Sequence, residues 1–368
     1  MSDERWDVVP ESDVLTLAGL GARIYRMPLA SYVLGPDAFI VIVEPGDRPD
    51  GTAVQHRELL KLAGPFPDEV HTYLYNDLMG TAGHRPETTP SALHGFVRVR
   101  EGCQPLGPLK YCGGSYDPTE ERLIEYQIHL EQVLPFEVLD RVRPLFPAPP
   151  PPRTSWLDLL PDDPVAATHE FVTDWYADVP TDESHAEASH IPIPAPLAAF
   201  YATVAGRKEV LGRQDPLFPL HKLRLDKDGW LEFGAENQGG FVLAIDPTAT
   251  DPAVSYRYWT DEPIIDPHPL STFLLLFALY EASFAGPYLA FAHLTTEEAQ
   301  RLTYGLRRVP LRNRWVPSTD TEFHVGNGLV VQLTPREDST WYAYTSARHR
   351  AHLEALRHLD IRWGIFEG

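Results

Sequence analysis

From residue 144 to 152, six of nine residues are proline (144, 147 and 149 to 152). No helix or sheet ladder runs through such a stretch, because each proline lacks the backbone N–H and fixes φ near −65°. The chain is therefore divided there. Consecutive prolines favour an extended spacer of about 3.1 Å per residue, so the flanking parts are expected to be held apart or docked at a fixed offset. A ligand for an aromatic groove is the other reading, but a single short run favours a linker. A length of 368 residues, at roughly 150 per domain, fits two or three units. The 36 prolines are roughly twice the usual share, yet with the 25 glycines they stay below the low-complexity range of about 25 to 30%. Arginine outnumbers lysine 26 to 5, a pattern of GC-rich coding that weakens the meaning of any one proline. With 43% apolar and 23% charged residues, the chain has material for buried cores.

Charge narrows the partners. The formal net is −21, from 31 basic and 52 acidic residues. A chain this acidic repels a phosphate backbone, whose binding rests on basic contacts and counterion release, so nucleic acid is not expected as a partner. A basic protein or a cation is what such a field steers inward; simple solubility is the plainer reading. Residues 1–150 carry 13 basic and 22 acidic groups, 151–300 carry 8 and 23, and 301–368 carry 10 and 7. The middle segment holds most of the excess.

Cys103 and Cys112 are the only cysteines. Their spacing fits neither a zinc knuckle nor a Cys-x-x-Cys pair, and two free thiols are expected. The start, Met1-Ser-Asp-Glu-Arg-Trp6, is acidic and has no apolar core behind it, unlike a signal peptide. The most apolar stretch, Pro267 to Tyr280, is shorter than the roughly 20 residues of a membrane span and reads as a buried helix. A soluble cytoplasmic protein without membrane contact is the expectation.

The expected organisation is α+β and multi-domain: an N-terminal unit (1–143), the proline-rich linker (144–162), a middle domain (163–294) and a C-terminal extension (295–368). In the first unit, Ala38 to Glu44 reads as a buried strand, Thr52 to Leu62 and Asp68 to Met79 as helices, and Ala92 to Arg100 as a strand. Asp117-Pro-Thr-Glu120 reads as the start of a helix running to about Val133. Beyond the linker, helices are expected from Asp163 to Tyr176 and from Pro194 to Val204, strands between Leu223 and Tyr258, and a helix from Ser271 to Phe284. The extension reads as a helix from Thr295, a hairpin from Glu322 to Leu333 turning at Gly326-Asn-Gly328, a strand from Trp341 to Thr345 and a helix from Ala347 to Leu359.

No phosphate-binding loop, nucleophile elbow or His-Glu-x-x-His occurs. Leu17-Ala-Gly-Leu-Gly-Ala22 has only two glycines of a dinucleotide fingerprint and follows no strand. His185, Glu187 and His190 match no metal spacing, and His349, His352 and His358 read as a polar helix face. No metal or cofactor is expected. Arg301, Arg307, Arg308, Arg312 and Arg314 form the one basic cluster, for which pairing with the acidic middle domain is more economical than phosphate binding. Asp226, Asp228, Glu232, Glu236 and Asp246 fall on and beside the middle strands. Nothing in their spacing fixes a carboxylate pair for acid and base work, so a solvated or partner-facing sheet surface is expected.

Four segments carry a resemblance: Ile193-Pro-Ala-Pro-Leu-Ala-Ala-Phe-Tyr201, Leu231-Glu-Phe-Gly-Ala-Glu-Asn-Gln-Gly239, Phe241 to Asp246 with Asp251-Pro-Ala-Val254, and Leu270-Ser-Thr-Phe-Leu274. Together they resemble the SUKH superfamily, the group of yeast cell-wall-synthesis regulators and many bacterial toxin-immunity proteins, over about a quarter to a third of the chain. Val204-Ala-Gly-Arg207 departs from it where many members carry an asparagine-glycine pair. The resemblance implies a curved sheet packed by helices that works by binding a protein, commonly a toxin, and it brings no catalytic residues. The five carboxylates are then the expected contact surface for a basic toxin domain. A regulatory or scaffold module of the same fold is one alternative, and an enzyme with its site in the N-terminal unit is another.

Overall fold

The computed structural model describes residues 4–46, 53–80, 92–117, 121–143, 147–181, 191–258, 262–311 and 320–368. The chain is mixed α+β and divides into two compact units, Met1–Phe146 with Glu367 and Pro147–Phe366 with Gly368. The division falls inside the proline run.

The first unit contains α1 (Glu11–Thr16), β1 (Arg23–Arg26), β2 (Ala30–Leu34), β3 (Phe39–Val43), β4 (Ala53–His56), β5 (Leu59–Ala63), α2 (Asp68–Gly80), β6 (Leu93–Val99), β7 (Gly102–Asp117), β8 (Arg122–Leu130) and α3 (Phe136–Val142). Its eight strands form one sheet in the order β1-β2-β3-β6-β7-β8-β5-β4, with β3 and β6 parallel and the other neighbours antiparallel. The 16-residue β7 pairs with β6 through its first half and with β8 through its second. Both faces of β3 are covered, Phe39, Val41 and Val43 by one apolar cluster and Ile40 and Ile42 by another. Such two-sided burial explains its uninterrupted apolar run.

Two expected helices are strands. Residues 53–63 form the β4–β5 hairpin, and the segment read as a helix from Asp117 to Val133 holds the end of β7, then β8. The deciding pattern has period two. Tyr126, Ile128 and Leu130 alternate into the core, as do Leu60 and Leu62, and the register sets Leu60 opposite Ile128 and Leu62 opposite Tyr126. Burial of one face across strands outweighs a helix-start signature that acts only locally.

The second unit contains α4 (Trp156–Leu159), α5 (Pro164–Trp175), α6 (Ala195–Val204), β9 (Arg224–Leu225), β10 (Leu231–Ala235), β11 (Phe241–Ile245), β12 (Ala253–Tyr258), β13 (Ile264–Pro269) and α7 (Leu270–Phe284). It continues with β14 (Tyr288–Leu294), α8 (Thr296–Thr303), β15 (Arg307–Arg308), β16 (Glu322–Gly326), β17 (Leu329–Pro335), β18 (Trp341–Ala347), α9 (Arg350–Glu354) and β19 (Trp363–Phe366). The strands form a five-stranded antiparallel meander, β13-β12-β11-β10-β9, and a six-stranded antiparallel sheet, β15-β16-β17-β18-β14-β19.

Helix α7 lies between the two sheets. Phe273 packs edge-on against Phe233 and Tyr256 of the meander, while Ser283 donates to Gln332 Oε1 on β17 at 2.6 Å. A helix apolar on all sides is stable only when covered on all sides, and 13 of its 15 residues are buried. Among the described residues no helix is long and apolar enough to cross a membrane.

Local signals hold where the chain itself supplies the partners. Asp163 accepts the Ala166 N–H at 2.9 Å at the start of α5. Thr295 and Glu298 close a reciprocal capping box at α8. Asn327 and Gly328 both take positive φ, 52° and 80°, in the two-residue turn between β16 and β17, the geometry that matches the twist of a hairpin. The expected last helix is shorter than read: Ala347 ends β18, and α9 gives way to a 3₁₀ turn at Ala355–His358. Cys103 is buried and Cys112 exposed, both as free thiols.

Candidate functional site

The meander gathers three of the five expected contact carboxylates at one end. The β9–β10 turn carries Asp226 and Asp228, and Asp246 follows Ile245, which pairs with Leu231 at the same end. Glu232 lies one residue into β10, and Glu236 sits in the β10–β11 turn at the opposite end. Most of these groups are engaged locally. Asp226 Oδ1 accepts the N–H groups of Asp228 (2.8 Å) and Trp230 (2.9 Å). Glu236 Oε2 accepts those of Gln238 and Gly240, each at 2.9 Å. Asp246 Oδ1 accepts the Thr248 N–H and hydroxyl at 2.9 and 2.7 Å, which holds its carboxyl below the usual range. Glu232 receives the Arg224 guanidinium across the strand pair. Asp228 alone points its carboxylate to solvent with no further side-chain partner among the described residues.

One contact reports the shape of the sheet. Arg257 on β12 bonds Asp226 beyond β9 and stacks over Trp230 at 4.6 Å. With strands about 4.8 Å apart and a rise near 3.3 Å per residue, a flat sheet would hold their Cα atoms ~20 Å apart, too far for the two side chains to meet. The sheet must coil, and the register shifts in β10 and β12 supply the extra twist. Coiling closes the sheet over its own outer face, where the paired residues Ala244 and Ser255 are buried. Burial works to raise the Asp226 carboxyl, but the N–H donors of Trp230 and Asp228 with Arg257 outweigh it, and the group sits below the usual carboxylate range. Sequence reading missed Arg257 and Trp230. The only available hint was that Arg257 shares the alternation phase of Ser255 on a strand whose other face is apolar.

The basic cluster is also engaged. Arg301 pairs with Glu297 at 3.0 Å, Arg308 with Glu322 at 2.6 Å, and Arg307 with Asp158 at 2.5 Å. These partners lie in the extension itself and in α4, not in the expected middle domain, because strand pairing and helix geometry bring nearer carboxylates into reach. Arg348 of the extension does meet the expected middle domain (163–294): it grips Asp178 (2.7 Å) and Glu209 (3.3 Å) over the ring of Tyr176. Arg312 and Arg314 lie outside the described residues, as do His185, Glu187 and His190. Among the described residues no three His, Cys, Asp or Glu side chains gather as a metal site would require.

In the first unit an open cleft of about 550 Å³ lies between β1, the β2–β3 turn and α2. Several of its polar groups are joined to one another or to neighbours: Arg23 to Glu69 at 2.5 Å, Asp68 to Arg122 at 3.1 Å, and the Thr72 hydroxyl to Asp68 O at 2.8 Å. Tyr25 donates to the same Glu69, which raises its phenol pKa.

The feature that sequence reading did not anticipate lies on the six-stranded sheet. Directly opposed residues of antiparallel strands share a face, and the register forms one continuous row: Phe323, Gln332, Tyr344, Phe291, Ile365. Phe323 is fully buried in the cluster that includes α7, whereas Tyr344 and Ile365 are 37% and 40% exposed. The helix ends at Phe284, whose ring meets Tyr344 at 6.2 Å, and the row emerges beyond it. Phe291 and Tyr344 lie 4.8 Å apart; the next row adds Tyr342 and His293 at 4.7 Å, with Arg336 over Tyr342 at 4.8 Å. The result is a partly exposed aromatic platform of Phe284, Phe291, Tyr342 and Tyr344, edged by Arg336, which also pairs with Asp338 at 3.4 Å. Large, partly exposed aromatics beside an arginine are the composition of protein-binding hot spots.

No protein-family model matches this chain, and neither a curated protein nor a solved structure is significantly similar to it.

Proposed function

We propose that this chain is a multi-domain, SUKH-like cytoplasmic binding protein that neutralises a basic protein toxin by direct contact, without catalysis. The observation that carries the reading is the aromatic platform, a preformed anchor surface of Phe291, Tyr342 and Tyr344. The net charge of −21 supports a basic partner, since opposite charge speeds encounter and rejects acidic competitors. The order of two helices, antiparallel meander and closing helix over Pro164–Phe284 supports the SUKH-like part. On this reading Asp226, Glu232, Glu236 and Asp246, which are engaged locally, serve steering and shape, and the aromatic rings serve affinity.

The test is retrieval of a partner from the native host with the full chain, followed by affinity measurements and a growth-rescue assay. Tyr344→Ala and Tyr342→Ala should each weaken binding by about 30-fold, the size of a hot-spot loss near 2 kcal/mol, and rescue should fail in proportion. A retrieved protein that binds both variants as tightly as the parent, or whose toxicity the parent leaves intact, would overturn the proposal.

A further inference from the structure

A cleft of about 430 Å³ lies between the C-terminal end of α6 and the turn at Pro219–Lys222. Its walls are mostly apolar: the side chains of Val204, Leu211, Pro219 and Leu220, and the ring of Tyr201, whose hydroxyl donates to Phe218 O, with the His221 imidazole beside them. Its mouth is cationic. Lys208 and Lys222 both line it and both are exposed. The whole chain has only five lysines, and these two lie in the segment, 151–300, that carries 8 basic and 23 acidic residues. Among the described residues neither meets a carboxylate at ion-pair distance, whereas Arg224, Arg257 and Arg348 in the same unit all do. A mostly apolar pocket whose two rim lysines meet no carboxylate among the described residues matches a ligand with an apolar body and a negative head. At roughly 30 Å³ for each water-sized group, the volume holds about 14 heavy atoms.

We propose that this cleft binds a medium-chain fatty acid, its tail against Val204, Leu211 and Leu220 and its carboxylate between Lys208 and Lys222. The site lies apart from the aromatic platform and does not depend on the toxin reading.

Isothermal titration of the full chain with octanoate tests it, with octan-1-ol and butyrate as the tail-only and head-only comparisons. Octanoate should bind saturably at one site, and octanol and butyrate at least tenfold more weakly. Lys208→Ala/Lys222→Ala should bring octanoate down to the octanol level, and Leu220→Asp should abolish its binding. Thermal melts run alongside separate a second role, since lysines near a helix C-terminus also complement its dipole. A double variant that melts lower yet binds octanoate as well as the parent overturns the proposal. So does non-saturable octanoate binding, or equal binding of octanol.

Discussion

Replacing Glu281 by glutamine isolates one buried carboxylate that organises a loop. Glu281 on α7 is fully buried and holds three consecutive backbone N–H groups: Oε2 accepts from Arg213 (2.7 Å) and Gln214 (3.3 Å), and Oε1 from Asp215 (3.1 Å). Gly212 makes the approach possible, with φ at 91° and space so close that a Cβ would lie 2.9 Å from both Glu281 Cδ and Phe277 Cζ. Glutamine keeps one acceptor oxygen for two of the donors and turns its NH₂ toward the third. Two bonds then fall from charged to neutral strength, at about 1 kcal/mol each, and one buried N–H is orphaned at about 1 to 3 kcal/mol, partly offset by removing a buried charge. The expected loss is about 3 kcal/mol, and Glu281→Ala should exceed it because all three donors are then orphaned beside a cavity. Urea unfolding followed by tryptophan fluorescence reads this directly, since seven of the eight tryptophans fall within 147–366. A Glu281→Gln midpoint equal to the parent's, or as low as that of Glu281→Ala, would refute the account.

Three further expectations follow from single residues. Ala205 caps α6 in the left-handed region at φ 46°, where a Cβ costs about 1 kcal/mol or more; Ala205→Gly should raise the melting temperature, and a lower one would contradict the backbone argument. Burial, with the nearby charges of His129 and Arg143, lowers His56 to about 4, and its Nδ1 accepts the Glu58 N–H at 3.3 Å. An unfolded histidine takes up its proton near pH 6.5, so between pH 6.5 and 4 the unfolded chain binds more protons and stability falls as pH falls, by about 2 to 3 kcal/mol. His56→Gln should remove that part of the difference between urea midpoints at pH 7.5 and 4.5, followed by circular dichroism; an undiminished difference argues against it. Arg257→Ala cuts the bond that spans the coiled meander and should cost about 1 to 2 kcal/mol in the fluorescence-monitored urea titration, with Arg257→Lys recovering only part because the planar stack on Trp230 is lost. Full recovery by lysine would show that charge alone matters there.

The two misread strands, β5 and β8, show where local reasoning ends. Asp117-Pro-Thr-Glu120 is a sound helix start by composition, yet the residues after it alternate with period two and find Leu60 and Leu62 opposite them. Those partners are more than 60 residues away. The same holds for the sites. Asp226, Asp228, Glu232, Glu236 and Asp246 stood out as charges, but whether each was free or held depended on turns and on Arg224 and Arg257. The aromatic platform was invisible because Phe291, Tyr342 and Ile365 come from three strands joined only by register.

By itself the sequence determined whatever is settled within a few residues: the break at the proline run, the Asp163 and Thr295 caps, the Asn327-Gly328 turn and the buried helix α7. A side chain bonding its own backbone, or a φ that only certain residues tolerate, needs no distant partner. Tertiary structure alone decided which strands pair, how the meander coils to join Arg257 to Asp226, and where α7 stops covering the aromatic row. Those outcomes depend on burial and hydrogen bonding between segments far apart in the chain, and no local pattern encodes which segment will lie opposite.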